Sequence, residues 1–302
     1  MEFSEVGTFP VDFIFGRQPL RIGQGVLVDD DGLGFDALRV KAYLPFDIDA
    51  DAFLIKRTEL SGDQFTKDKD ESLKAIGGNW TYQNDYNFRV YYFFEESSSP
   101  LKKNFISVRA DGRFKDGVDY RLELIKSGGD YSGISYLVGA TAYTKVRKLG
   151  NTSVNFEYAV GTGKENGLGF APTYGHKTDG FERSGYGEYF GASLSEFYGG
   201  IPSNVYQGIH TTLLGIGFEP HKTVNLNFDY YILFSIDSPS GMVFTDRLVG
   251  EELDMSLKYK YTENCFFRLI YGRFSPLKIL KPEGEAAKII SNKLGWSVSA
   301  KF

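Results

Sequence analysis

Cysteine is almost missing from this sequence. Cys265 stands alone in 302 residues, so neither an internal disulfide nor a cysteine-held metal is expected. Histidine is nearly as scarce. His176, His210 and His221 are the whole supply, and no two stand at ligand spacing. Also absent is any run close to the ~18 uncharged apolar residues that a membrane-spanning helix needs. There is no excess of positive charge either. The formal net charge is −5, which argues against a nucleic-acid partner. Met1-Glu2-Phe3-Ser4-Glu5 has neither the basic region nor the apolar run of a secretion leader.

Catalytic patterns are lacking too. Gly16, Gly23, Gly25 and Gly32 are not followed by Gly-Lys-Ser/Thr, so they make no phosphate loop. Gly161, Gly163 and Gly167 follow a strand pattern but open no helix. Asp29-Asp30-Asp31-Gly32 lacks the spaced acids and closing Glu of a calcium loop. His210 falls on the apolar side of its strand, away from any serine it would have to activate. No catalytic set, metal or cofactor is expected, and the chain does not read as an enzyme.

What the sequence does hold is aromatic residues and glycine: 26 Phe, 20 Tyr and 35 Gly. Such enrichment suits strands and turns. Mean hydropathy is −0.26. A membrane β-barrel gives such a value, because lipid-facing and lumen-facing residues alternate. The alternation is clearest from Thr223 to Asp237. Val224, Leu226, Phe228, Tyr230, Ile232, Phe234 and Ile236 form one face. Thr223, Asn225, Asn227, Asp229, Tyr231, Ser235 and Asp237 form the other, with Leu233 the exception.

The pattern predicts strands near 9–18, 35–46, 50–58, 72–82, 87–95, 103–113, 117–126, 134–146, 152–162, 207–219, 223–236, 251–262, 264–273 and 292–302. Alternation is poorest in 50–58 and 72–82. Connections after the even strands are short. Those after the odd strands are mostly long, above all 163–206. This sorting marks short periplasmic turns and long extracellular loops. The expectation is a closed, antiparallel, all-β transmembrane barrel of about 14 strands. It forms one domain over residues 1–302 and sits in the bacterial outer membrane. Hydrocarbon offers no hydrogen-bond partner, so a spanning sheet must pair every backbone group within itself. Strands ~4.8 Å apart and tilted ~40° give a backbone diameter of roughly 28 Å.

Parity assigns the walls. The inward set contains Arg39, Lys41, Arg89, Arg109, Arg113, Arg121, Lys145, Lys258, Lys260, Arg268, Lys293 and Lys301. It also contains Glu95, Asp111, Asp119, Glu123, Glu157, Glu219, Asp229 and Asp254. This basic excess points to a lumen that favours anions. Opposite charges on neighbouring strands could equally pair along the wall. Tyr43, Tyr82, Tyr120, Tyr158, Tyr261 and Trp296 lie near strand ends, where interfacial girdles belong. The loop 163–206 is placed to fold inward as a constriction, with Tyr189 and Phe190 in it. A short helix is expected over 282–292. Phe302 closes an alternating strand and resembles the terminal aromatic read by the barrel-assembly machinery. Membrane lipid, lipopolysaccharide and a small polar or anionic solute are the remaining expected partners.

One segment carries a more specific likeness. Phe13-Ile14-Phe15-Gly16-Arg17-Gln18 is followed by a Gly- and Asp-rich loop, and then by Phe35-Asp36-Ala37-Leu38-Arg39. This hairpin resembles the alginate-export family of outer-membrane porins. The resemblance implies a basic, constricted lumen for an anionic polysaccharide, with Arg17, Arg39 and Arg21 in the constriction. Two other functions fit a barrel. One is a structural sleeve around a partner such as an electron carrier. The other is a hydrophobic-ligand transporter, which needs an apolar lumen and usually a plug before the first strand.

Overall fold

The computed structural model describes residues 2–3, 10–22, 25–28, 34–57, 71–83, 85–96, 102–115, 117–131, 133–161, 209–235, 248–276 and 290–300. The fold is all-β. After the two-residue β1 (Glu2–Phe3) come β2 (Val11–Gln18), β3 (Phe35–Leu44), β4 (Ile48–Arg57), β5 (Glu71–Tyr82) and β6 (Tyr86–Glu96). Then follow β7 (Lys103–Phe114), β8 (Val118–Gly129), β9 (Ile134–Val146), β10 (Gly150–Gly161) and β11 (Ile209–His221). The last four are β12 (Val224–Ser235), β13 (Leu248–Thr262), β14 (Cys265–Pro276) and β15 (Ser291–Ala300).

These form one antiparallel meander in which every strand pairs with its sequence neighbours. Among the described residues, no ladder joins β15 to β1 or β2. The sheet nevertheless curls into a barrel, because Phe53 of β4 and Phe274 of β14 belong to the same interior cluster. The fourteen long strands match those expected, including the two with weak alternation. Ser291 and Asn292 open β15 rather than a helix, and 282–289 lie outside the described residues.

Burial confirms the two-sided pattern. On β6, Tyr91, Phe93 and Glu95 are buried, whereas Phe88, Val90 and Tyr92 are exposed. The six outward positions of β12 from Val224 to Phe234 cover about 25 Å along the barrel axis at ~3.3 Å per residue and ~40° tilt, the height of an apolar band. Two aromatic girdles border the band. On the turn side, rings touch in sequence from Trp80 through Tyr82 and Tyr86 to Tyr120 and Phe114. On the loop side run Tyr136, Tyr158, His210 and Phe234. Tyr43 departs from the girdle expected of it. It shares the inward row with Arg39 and Lys41, and its hydroxyl donates to Asp12 at 2.7 Å.

The interior has two zones. Toward the turns it is polar. Toward the loops it holds a cluster of buried apolar residues. The first long connection folds inward there, with Leu20, Ile22, Val26, Leu27 and Val28 all buried. An Ile22–Val28 bridge closes it into a small lobe. The lobe packs against inward residues that break the alternation, among them Ile55, Phe93, Phe105, Ile125, Leu137 and Leu233. Leu233 therefore stops being an exception: it faces this apolar core and is fully buried.

Candidate solute path

Along β3 to β10 the polar zone is a ladder of ion pairs. Arg39 holds Asp51, Nε to Oδ1, at 2.9 Å. Asp111 receives Arg89 at 3.3 Å and Arg109 at 2.7 Å. Arg109 also approaches Glu123 at 3.5 Å, and Arg113 grips Asp119 through two contacts. Higher up, Lys103 faces Glu95 at 3.7 Å. Water-poor walls favour such pairs because an unpartnered charge there loses hydration without compensation.

Two side chains reach across a whole strand, and a glycine lets each pass. Arg121 of β8 crosses β9 at Gly139 to meet Glu157 at 2.8 Å and Asn155 at 2.7 Å on β10. A Cβ at Gly139 would fall 2.6 Å from Arg121 Nε. Tyr91 of β6 lies over Gly77 of β5, and its hydroxyl donates to Asp51 on β4 at 3.2 Å. Neither contact follows from neighbouring-strand parity.

The wall from β11 to β15 differs. Lys258 stands directly opposite Arg268, and Lys260 follows two residues on. Lys258 Nζ sits 4.7 Å from the centre of the Phe266 ring. Among the described residues, no carboxylate lies within ion-pair distance of Lys258 or Lys260. These residues line a cavity of 590 Å³ at the turn end together with Asn225, Asn227 and Ser256. Glu219, on its rim, accepts from Asn151 at 3.0 Å. A second cavity, of 480 Å³, opens beside Arg113, Asp119 and Arg121.

The basic residues named from parity on described strands do sit on inward rows. The inward set read from the sequence left out Asp12, Asp49, Asp51 and Glu252, which also face inward. Among the described residues, with Lys103 added to the other side, inward acids and bases are level in number. Among the described residues the wall is balanced, and Lys258, Lys260 and Arg268 form a local basic group on it. Arg39 and Lys41, two apart on β3, do not make an open basic patch, since Arg39 is held by Asp51. Arg17 faces outward and cannot line a constriction. It is 65% exposed and pairs with Asp36 on the outer face at 2.9 Å. Arg21 is exposed beside the inward lobe. Tyr189, Phe190, Lys301 and Phe302 lie outside the described residues. Among the described residues, no cluster of His, Cys, Asp and Glu is placed to hold a metal.

No protein-family model matches the chain, and no curated protein does either. Solved structures do. The chain superposes on the outer-membrane porin OccAB1 of Acinetobacter baumannii with a TM-score of 0.61 and 10% identity, covering 96% of this chain and 73% of that one. For Pseudomonas aeruginosa OccK11 (OpdR) the values are 0.57 and 13%, covering 96% and 76%. For OpdQ of the same organism they are 0.58 and 8%, covering 96% and 76%. The fold is that of the bacterial outer-membrane porins. These comparisons do not single out the alginate-export family.

Proposed function

We propose that the chain is an outer-membrane channel that passes a small polar, anionic solute, an acidic oligosaccharide being one such class. The observation that carries this reading is the pair Lys258 and Lys260, with Arg268 opposite, facing the turn-end cavity without a carboxylate against either lysine. Along β3 to β8, Arg39, Arg89, Lys103, Arg109, Arg113 and Arg121 are held by acids or strand neighbours and offer a passing anion less. A local cluster of positive charge lowers the barrier for anions where the path is narrow. Reversal potentials in a salt gradient test it. The unmodified protein favours anions. Replacing Lys258 and Lys260 by Gln moves the reversal potential toward cations, more at ~0.1 M than at ~1 M salt, where the Debye length falls from ~10 to ~3 Å. Cation preference in the unmodified protein overturns the reading. An apolar half-lumen also suits a hydrophobic-ligand transporter. Here, however, that half is occupied in part by the protein's own Leu27 and Val28, and the two cavities described above are lined mainly by polar groups.

A further inference from the structure

Among the described residues, the outer face of the barrel is charged at one end only. Every charged residue on an outward row of the described strands stands in the last positions before the loop side. The cations are Arg17, Lys56, Lys74, Lys126 and Arg273, all exposed. The acids are Asp36, Glu96 and Glu251. From mid-strand to the turns the outward rows hold none, and they finish in residues such as Trp80, Tyr82, Phe114 and Tyr261. Lipid on the turn side therefore meets an uncharged aromatic rim. Lipid on the loop side meets a ring with more cations than acids.

We infer that this loop-side ring docks the phosphate groups of a phosphorylated glycolipid in the outer leaflet, with its densest site at Lys56, Lys74 and Ser72. The inference rests on the outer-membrane assignment and not on the channel reading. Lys56 lies opposite Ser72 and diagonal to Lys74 on the adjacent strand. Cross-strand diagonals of ~7–8 Å let two flexible ammonium groups converge on one phosphate. Lys74 and Ser72 both contact Glu96, at 2.8 and 3.2 Å, on the exposed outer surface. A doubly charged phosphate competes well with one exposed carboxylate, since such surface pairs are worth little. Lys126 adds a second anchor between the outward Ile106 and Ile134. Charge complementarity selects the occupant. A zwitterionic phospholipid brings its own cation to each phosphate, whereas a bisphosphorylated glycolipid brings none.

The test uses the whole protein in a zwitterionic detergent, titrated and read by native mass spectrometry. The probes are bisphosphorylated lipid A, the same lipid with its phosphates removed, and phosphatidylglycerol. The expected result is at least about tenfold tighter binding of bisphosphorylated than of dephosphorylated lipid A, a difference of ~1.4 kcal/mol. The triple variant Lys56→Gln, Lys74→Gln, Lys126→Gln should lose most of that ratio. Heat-dependent gel migration reports whether it folds. Lys126→Gln alone, a change at one exposed position, should reduce the ratio by a smaller factor. Equal binding of the two lipid A forms, unchanged binding by the variants, or tighter binding of phosphatidylglycerol each overturns the docking ring. A barrel that fails to conduct leaves these ratios untouched, so the two readings fall separately.

Discussion

Arg121 shows what one side chain does in this wall. It leaves β8, passes the bare backbone of Gly139 and ties β10 to its own strand through Glu157. Both charges are largely withdrawn from water, with side-chain exposures of 15% and 3%. Removing one partner leaves the other buried and uncompensated, which costs about 3–5 kcal/mol. Glu157→Gln should therefore lower stability by about 3 kcal/mol, measured as a shift of the urea midpoint in micelles. Gly139→Ala should do comparable damage, because the new Cβ occupies the path of the guanidinium. Replacing Arg121 and Glu157 together by Met should recover much of the loss. If Gly139→Ala leaves the midpoint where it was, the reach across β9 does not hold the wall. This contact was not legible in the sequence. Alternation assigns a face to Arg121 and Glu157, but it gives no sign that they meet over an intervening strand.

At the scale of elements, strands and loops were legible to different degrees. Strand positions follow from period-two alternation, and their ends came out within a few residues of the observed ones. β4 was harder, because Asp49, Asp51, Phe53 and Ile55 share one face while crossing from the polar to the apolar zone. The four inward acids missed on β2, β4 and β13 made the lumen look more basic than it is. The inward lobe of the first loop was hidden differently. Leu20, Ile22 and Val26 to Val28 lie in a Gly- and Asp-rich stretch with no strand period. Of their partners, Leu233 stood out as an exception to the alternation, and Phe93 and Ile125 are further apolar lapses on largely polar rows. Read together, those lapses mark a buried apolar plug. Replacing Leu27 and Val28 by Asp puts two charges into that core, and burying such charges is costly. The lobe should leave the lumen, and single-channel conductance in about 1 M salt should rise several-fold. An unchanged conductance means that ions already pass beside the lobe.

At the scale of the molecule, the sorting of connections sets the orientation. The connections from β5 to β6, β7 to β8 and β9 to β10 are a few residues each, and the strand ends they join lie on one side with Val11 and Ala300. The connection 162–208 leaves from the other side. Protease added to intact cells should cut within 163–206 and spare 147–151 and 220–222. Cleavage confined to those turns would reverse the barrel in the membrane. The meander has a further effect at this scale. Because each strand bonds only to the strands before and after it in sequence, a hairpin could be gained or lost without breaking any other ladder. Barrel diameter grows with strand number. The perimeter is thus a modular quantity, adjustable two strands at a time.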